Sequence, residues 1–340
     1  MTLKDIAQRA GVSISTVSRI INSEDDSFAR KEVRDKVWEI IRETEYVPNQ
    51  AAIDLKTHKN KCNNKDQITI ACILGRTKNL EDNPFFAQVA RSVEQKALSL
   101  GHVVSLSYSI LDINNMQLSK KIESIKTDGA IVIGRFDIRT LKFLKEHYKN
   151  LVYVGRNVID TDIDQVICDG YEATRTALHY LIQCGHKRIG YIGETINETR
   201  YKAYQSMIAE HKLDNDSNLV CSCYQNGIGD CKGVEVLLQN ANPLPTAVFC
   251  ATDIAAVAAM QRFTVAGIKI PQDISVVSMD DIELAGYISP MLTTISMPKS
   301  ELGSIAVQTL TNRISKKHKL PMKIFLPYKL SIRESVGKRT

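Results

Sequence analysis

The sequence predicts an α/β protein: a small three-helix domain at the N-terminus, followed by a two-lobed body built on parallel sheets. A chain of 340 residues is too long for one ordinary core. Residues 1–46 show helical periodicity only. From Gln67 onward, β-rich runs alternate with amphipathic helical runs, as in repeated βα units.

The first three helices are predicted from apolar residues at helical spacing. Thr2 is the expected N-cap of the first helix, Gly11 ends that helix, and Ser13 caps a second one that ends near Asn22. The expected buried positions of the three helices are Leu3, Ile6, Ala7, Ala10, Val17, Ile20, Ile21, Val33, Val37, Trp38, Ile40 and Ile41.

Two helices of about eight residues joined by a three-residue turn with glycine have the proportions of a helix-turn-helix. Short side chains outside the apolar stripe would let the second helix approach a DNA groove, and an arginine there can bind a guanine edge. The side chains expected to lie there are Ile14, Ser15, Thr16, Ser18 and Arg19. An ordinary helical bundle with surface hydroxyls explains the same pattern.

Net charge, hydrophobic runs and cysteine content restrict the function only weakly. The net charge is +6, but residues 1–60 hold ten Lys/Arg and ten Asp/Glu, so overall charge does not argue for DNA binding. No apolar run is long enough to cross a bilayer, and polar residues interrupt any signal peptide, so we expect a cytoplasmic protein without a membrane partner. The eight cysteines form no CxxC pair; scattered reduced thiols are preferred over a zinc site at Cys221, Cys223 and Cys231.

The run TLKDIAQRAGVSISTVSRIIN, followed by YVPNQAAIDL, resembles the head of the LacI/GalR family of transcription regulators. The resemblance implies that Ile14, Ser15 and Arg19 read bases in the major groove, while Thr16, Ser18 and Asn22 hold the DNA backbone. It implies DNA contacts also for Thr2 and Asn49.

Residues 47–66 are expected to form a hinge and linker. Pro48 keeps the chain extended, and the short run after it is too polar to be a stable helix alone. The family resemblance implies that this helix orders on the operator, where Leu55 wedges into the minor groove beside the small Ala52. The family often has arginine where this chain has Ile53, and a plain flexible tether is the alternative.

The body is predicted as two similar halves of alternating strands and helices that face a cleft. Strands are expected at 68–74, 102–109, 129–134, 151–155, 188–193, 219–224, 246–251 and 274–280, and helices at 85–100, 115–126, 138–148, 171–184, 198–211, 230–239 and 253–266. GHKRIGYIG and GIKIPQDISVVSMDD are further family signatures, and the body resembles the type I periplasmic-binding-protein fold. We expect subdomains at 67–157 with about 291–320, and at 158–290 with about 321–335.

Ligands bind at the carboxyl ends of the strands in such sheets. Asp280 ends a strand and can accept two sugar hydroxyls, while the donors of Arg200 suit several hydroxyls. Thr252 can face the cleft, and the next residue, Asp253, is expected to cap the following helix. These positions match the effector-contacting Arg, Asn and Asp of the family. Phe85 is a candidate for the apolar face of a sugar, with core packing as the alternative.

The chain departs from the family at Thr252, usually Asn, and at Gly155, where many members have Asp. The runs DNPFF, NSEDDSFARKEV and MKIFLPYKLSIRES look most like the galactose and evolved-β-galactosidase repressor branch. A galactose or galactoside effector is therefore expected; other sugars, such as glucosides or raffinose-type oligosaccharides, and a purine corepressor are the alternatives. Only SVGKRT follows the last expected strand, so no heptad helix would tie dimers into tetramers, and a homodimer on a palindromic operator is expected.

The leading hypothesis is a repressor of a sugar-utilisation operon, released by a small sugar in the interlobe cleft. A catabolite-type global regulator that uses a phosphoprotein corepressor and a sugar-binding protein without a regulatory role are the alternatives. No catalytic residues, metal ligands or cofactor are expected, since the sequence has no G-x-S-x-G, Walker or metal-site pattern.

Overall fold

The structure, a computed structural model, describes residues 3–22, 30–44, 67–75, 83–112, 120, 122, 124–222 and 232–339. The chain divides into two compact units, residues 1–66 and residues 67–340. In the described residues, no helix is long and apolar enough to span a bilayer.

The described part of the first unit contains α1 (Leu3–Ala10), α2 (Ile14–Asn22) and α3 (Lys31–Glu43). Gly11 ends α1 with a φ of +73°, a conformation that glycine adopts at no steric cost. The Ser13 hydroxyl accepts a hydrogen bond from the Thr16 amide at 3.1 Å and so caps α2. The buried core consists of Ile6, Ala7, Ala10, Val17, Ile20, Val37 and Ile40.

Trp38 does not belong to this core. Its side chain is 38% exposed, so the expectation that it lies on the buried face of α3 is wrong. Val37 and Ile40 are buried on the same helix, and the position next to Val37 turns about 100° away from them.

The second unit is built on two six-stranded sheets. The first sheet is parallel throughout, in the order β11-β5-β4-β3-β1-β2. Its strands are β1 (Thr69–Leu74), β2 (Val103–Ser109), β3 (Gly129–Ile133), β4 (Leu151–Gly155), β5 (Asp164–Ile167) and β11 (Lys323–Phe325). We call the part built on this sheet the first lobe.

The second sheet has the order β12-β10-β9-β8-β6-β7, and only β12 is antiparallel to its neighbour. Its strands are β6 (Ile189–Gly193), β7 (Val220–Ser222), β8 (Ala247–Cys250), β9 (Ser275–Asp280), β10 (Thr293–Ser296) and β12 (Lys329–Ser331). The part built on this sheet is the second lobe.

Seven α-helices of the described residues pack on these sheets: α4 (Pro84–Ser99), α5 (Ile138–His147), α6 (Gly170–Gln183), α7 (Thr199–Glu210), α8 (Lys232–Asn240), α9 (Asp253–Val265) and α10 (Lys299–Ile314). The central strands are buried on both faces because helices cover both sides of each sheet. The helix expected at 115–126 lies largely outside the described residues.

The expected subdomain boundaries are wrong for three strands. β5 and β11 belong to the first sheet, although 158–290 and 321–335 are expected in the other subdomain, and β10 belongs to the second sheet instead of the first. Strands of three or four residues near a crossover give no local signal of which sheet they join. Their hydrogen-bond partners are chosen by tertiary packing.

Candidate functional site

The carboxyl ends of the two sheets face each other, and a buried ion pair joins them. Arg156 follows the last residue of β4, and Asp280 is the last residue of β9. The Arg156 Nη1 donates to Asp280 Oδ1 at 2.5 Å, and both side chains are less than one-tenth exposed. Because the two residues belong to different lobes, this bond spans the cleft between them.

Two aromatic rings form the apolar side of this pair. The Arg156 guanidinium lies 4.7 Å from the centre of the Phe85 ring and 5.6 Å from that of Phe86, within cation–π range. Asn83 accepts a hydrogen bond from the Phe86 amide and fixes the start of α4, which carries both rings. The Phe85 side chain is buried, and Arg156 covers its ring.

The carboxylate of Asp280 is buried, and three cationic side chains surround it. Burial raises its pKa, while the charges of Arg156, Arg200 and Lys299 act to lower it. Its backbone has a φ of +126°, a region that residues with a side chain rarely adopt. The Lys299 ammonium donates to the carbonyl oxygens of Asp280 and Asp281, at 2.6 and 2.7 Å, and so stabilises this turn.

Arg200 lies at the start of α7 and forms a two-point pair with Glu198. Its Nε and Nη2 donate to the two Glu198 carboxylate oxygens, each at 2.8 Å, and its Nη1 donates to the Ala251 carbonyl at 2.5 Å. Burial would raise the pKa of Glu198, but Arg200 outweighs it and lowers that pKa to about 2. Three of the five Arg200 donors are thus engaged by the second lobe itself.

Thr252 caps the helix that Asp253 is expected to cap. The Thr252 hydroxyl is the N-cap of α9 and accepts from the Ala255 amide at 3.3 Å. Asp253 does not cap the helix, so that expectation is wrong. Its buried carboxylate instead accepts hydrogen bonds from the Ser278 and Thr294 hydroxyls and the Ile282 amide, at 2.6, 2.5 and 2.7 Å. It thereby ties α9 to β9, to β10 and to the turn after Asp280.

A second bridge spans the cleft. Arg135, just after β3, donates from Nη2 to the Glu194 carboxylate at 2.7 Å and from Nη1 to the Asn197 carbonyl. Nearby, the Thr199 hydroxyl donates to the Asn157 side-chain oxygen at 2.5 Å. These contacts again join the first lobe to the second.

Three of the sequence-predicted cleft residues lie together: Asp280 bonds to Arg156, Arg156 covers the Phe85 ring, and the charge of Arg200 acts on the Asp280 carboxyl. Thr252 follows Ala251, whose carbonyl accepts a hydrogen bond from Arg200. Sequence reasoning missed Arg156, Arg135 and Glu194, the carboxylate partner of Arg135. The signal that could have found them is position: like Asp280, both arginines lie at or just past the end of a strand in the sheet. At the end of β4, sequence reasoning considers Gly155, which departs from the family pattern, and not the next residue, Arg156.

The arginines of the cleft are paired with carboxylates, while Lys299 beside Asp280 bonds to backbone carbonyls. Arg135, Arg156 and Arg200 each have their own carboxylate, from Glu194, Asp280 and Glu198 respectively. In the part of the chain that is described, no three His, Cys, Asp or Glu side chains form a metal-binding group. Cys223 and Cys231 of the considered zinc cluster lie outside that part.

In the first unit, α2 presents a short polar surface. Ile14 is 44% exposed, Ser15 and Arg19 are exposed and Thr16 is half-buried, while Val17 is buried. Ser18 and Asn22 lie on the same helix. Thr2, Asn49, Ala52 and Leu55 lie outside the described residues.

Two family models match this chain. Residues 2–49 match "Bacterial regulatory proteins, lacI family", and residues 178–336 match "Periplasmic binding protein-like domain". The ribose operon repressor of Haemophilus influenzae is 33% identical over 98% of both chains. The transcriptional repressor PurR of Yersinia enterocolitica is 32% identical over 99% of this chain and 97% of its own.

Solved structures agree. The transcriptional regulator CelR in complex with cellobiose has a TM-score of 0.69 and 25% identity, and the match covers 98% of this chain and 99% of that one. A lac repressor dimer bound to operator and the anti-inducer ONPF has the same TM-score at 23% identity, over 99% of both chains, and shows the same fold. From the helix-turn-helix to the two-lobed body, the chain is therefore a member of the LacI family of DNA-binding transcriptional repressors.

Proposed function

We propose that this repressor controls a sugar-utilisation operon and that a small neutral sugar, bound in the interlobe cleft, releases it from its operator. It acts as a homodimer whose two helix-turn-helix units read a palindromic operator. Arg156, Arg200, Thr252 and Asp280 are the proposed polar contacts, and Phe85 with Phe86 supports the Arg156 guanidinium.

The pairing of the cleft arginines with carboxylates is the observation that carries this proposal. An anionic ligand at Arg156 would compete with Asp280 and leave that carboxylate buried without its partner, which is costly. A neutral polyol instead bonds to carboxylates and guanidiniums without changing the net charge. Paired charges with an apolar ring beneath them therefore favour a neutral, hydroxyl-rich ligand.

Galactose or a galactoside is the first candidate because of the branch that the runs DNPFF and MKIFLPYKLSIRES resemble. The names of similar proteins add further candidate sugars. One relative is a ribose operon repressor, one similar structure is a cellobiose complex, and another, from Lactobacillus casei with 25% identity, holds sucrose. All of these names concern neutral carbohydrates.

Release requires that the sugar bind one lobe arrangement more tightly than the other. The bridges from Arg156 to Asp280 and from Arg135 to Glu194 hold the lobes together, and a sugar that bonds to Asp280 competes with the first of them. We propose that the resulting shift unpairs the hinge helices of the dimer. The hinge, residues 47–66, lies outside the described residues.

Calorimetric titration of the full-length protein with galactose, methyl galactoside, ribose, cellobiose, galacturonate and hypoxanthine tests the ligand class. We expect one of the neutral sugars to bind and to lower the affinity for a selected palindromic duplex, measured by fluorescence anisotropy. Asp280→Asn, which keeps the shape of the side chain and can still accept a hydrogen bond from Arg156, should weaken that sugar binding more than operator binding. Binding of galacturonate or hypoxanthine in place of every neutral sugar contradicts the proposal.

Arg19→Ala tests the DNA-reading role of α2. Loss of a bidentate base contact should cost about 1–3 kcal/mol on the selected operator and little on random-sequence DNA. Arg9→Ala, which removes the same charge from the exposed face of α1, is the matched control. Equal losses on both duplexes with Arg19→Ala would refute base reading.

A further inference from the structure

The loop between α10 and β11 is strongly basic. Residues 315–323, SKKHKLPMK, hold four lysines, one histidine and no acidic residue; we call this segment the basic loop. Lys316, Lys317, Lys319 and Lys323 are exposed, and in the described residues none of them has an ion-pair partner. Four neighbouring cations are thus left facing solvent.

A buried carboxylate fixes the shape of this loop. The fully buried Asp164 accepts two hydrogen bonds from Arg313, at 2.7 and 2.6 Å, one from His318 Nε2 at 2.9 Å, and one from the Met322 amide at 2.8 Å. Arg313 also donates to the Lys319 carbonyl at 3.0 Å. Because the backbone and His318 are held inward, the lysines project into water from a rigid support.

The basic loop lies at the amino-terminal edge of the first sheet, opposite the cleft edge. It leads into β11, which is parallel to β5. Lys126 and Lys149, also exposed, come shortly before β3 and β4 at this same edge. The chain also enters the second unit here, since β1 begins at Thr69.

Two acidic residues near the strand starts of this edge are engaged by neighbours. Asp128 accepts from the Thr69 amide at 2.7 Å, and Asp162 pairs with Lys145. The net charge of the chain lies outside the DNA-reading helices. Residues 1–60 have no net charge, so the net +6 resides in residues 61–340. A neutral DNA-reading unit lacks the general attraction to phosphates that supports most DNA affinity.

We infer that the basic loop contacts the phosphate backbone of the duplex flanking the operator. The body would then supply sequence-independent attraction that the helix-turn-helix unit lacks. Residues 45–66 can span at most about 75 Å, so a duplex held by the first unit stays within a limited distance of this edge. Because residues 45–66 tether the two units, the duplex phosphates are present at a high effective concentration around these lysines.

The test compares operator binding on two duplexes, one that ends at the operator borders and one extended by random-sequence flanks on both sides. The variant Lys316→Gln/Lys317→Gln/Lys319→Gln should bind the extended duplex more weakly than the wild type and the short duplex equally well. For every phosphate that the variant no longer binds, the slope of log affinity against log salt should fall by about 0.9. Between about 50 and 200 mM salt, that is about a 3.5-fold smaller decrease in affinity for each such phosphate.

A matched control comes from the corresponding edge of the second sheet. Lys187, Lys212 and Lys269 are exposed, precede β6, β7 and β9, and form no ion pair in the described part of the chain. Replacing these three with Gln removes the same charge but should leave both duplex affinities and the salt slope unchanged.

The inference would be overturned if the wild type bound both duplexes equally well or if the basic-loop variant lost the same affinity on both. It would also be overturned if the control variant lost as much affinity for the extended duplex as the basic-loop variant. Lys316 and Lys317 also follow the end of α10, where cations favour a helix. A role limited to stability would lower Tm and leave the salt slope at its wild-type value, which also contradicts the inference. Failure of the wild type to bind the short operator would instead refute the repressor proposal.

Discussion

The two edges of the first sheet use charge in opposite ways. At the cleft edge, Arg156 and Arg135 are largely buried and each is bonded to a carboxylate of the other lobe. At the opposite edge, Lys316, Lys317 and Lys319 are exposed and lack acidic partners in the described residues. Asp164, the buried carboxylate at that edge, serves to shape the loop that carries them.

The difference follows from solvation. A guanidinium taken out of water must be paired, so a buried site becomes charge-balanced and suits a neutral ligand. A lysine left in water needs no partner and keeps its charge available for a polyanion. One sheet can thus present a neutral ligand site at one edge and a cationic surface at the other.

The largest effect should come from breaking the central pair of the cleft. Asp280→Ala leaves Arg156 buried without its carboxylate and should lower the free energy of unfolding by about 3–5 kcal/mol. Urea denaturation measures this loss. Asp280→Asn, which can still accept a hydrogen bond from Arg156, should lose less. A wild-type stability for Asp280→Ala would mean that water reaches Arg156 and that the cleft is not balanced by pairing.

Glu198→Gln tests the charge pairing at the cleft edge through the pH dependence of the unfolding free energy. The ordinary pKa of this carboxyl, 4.5, is lowered to about 2 in the folded protein, so ionised Glu198 contributes stability above pH 4.5 that disappears as pH falls through about 2. At pH 7 the variant should lose about 3 kcal/mol of unfolding free energy, and the gap to wild type should close between about pH 4.5 and 2.

Glu210→Gln is the control for this titration. Glu210 pairs with Arg175 at 2.8 Å, but both side chains are well exposed, and water and salt screen the pair. We expect no resolved change in stability at any pH. A gap between wild type and Glu198→Gln that does not depend on pH would exclude an electrostatic origin.

Gly155→Ala tests whether shape is as tightly specified as charge at the cleft edge. A Cβ at this position would overlap the hydroxyl end of Tyr153, a buried side chain with no room to move aside. The overpacked variant should lose about 1–3 kcal/mol. Adding Tyr153→Leu should cost less than the sum of the two single changes, as a double-mutant cycle would show. Additive losses would argue against direct contact.

The smallest effect is expected at the opposite edge. The Gln variant of Lys316, Lys317 and Lys319 should keep its unfolding free energy within about 0.5 kcal/mol, since these side chains lie in water. Thermal denaturation gives the measurement. A clear loss would show that the lysines support the fold, and the contrast between the two edges would then be weaker.

Local patterns predict most of the elements. The three N-terminal helices and the alternating strands and helices from β1 to β9 lie within a few residues of their expected positions, apart from β5 and the helix at 115–126, because each has its own apolar period. The expectation for Trp38 is wrong because the sequence does not show whether an aromatic residue next to the apolar stripe of a helix packs against the core. β5, β10 and β11 give too short a signal to be assigned to a sheet.

The cleft could be predicted only in part, for a similar reason. The rule that ligands meet strand ends identifies Asp280, Arg200 and Thr252 from the sequence. The partners of these residues come from distant segments: Arg156 and Asp280 are separated by 124 positions, and no periodicity links them. The roles of Thr252 and Asp253 depend on which side chain meets Ser278 and Thr294.

The sequence by itself determined the helix-turn-helix, the βα alternation and the family, because these depend on local period and on contiguous motifs. Only the tertiary structure decided which strands close each sheet, which charges pair across the cleft and which lysines stay unpaired at the opposite edge. Those outcomes depend on burial and on contacts between remote segments. The cost of desolvating a charge then selects the pairs that form.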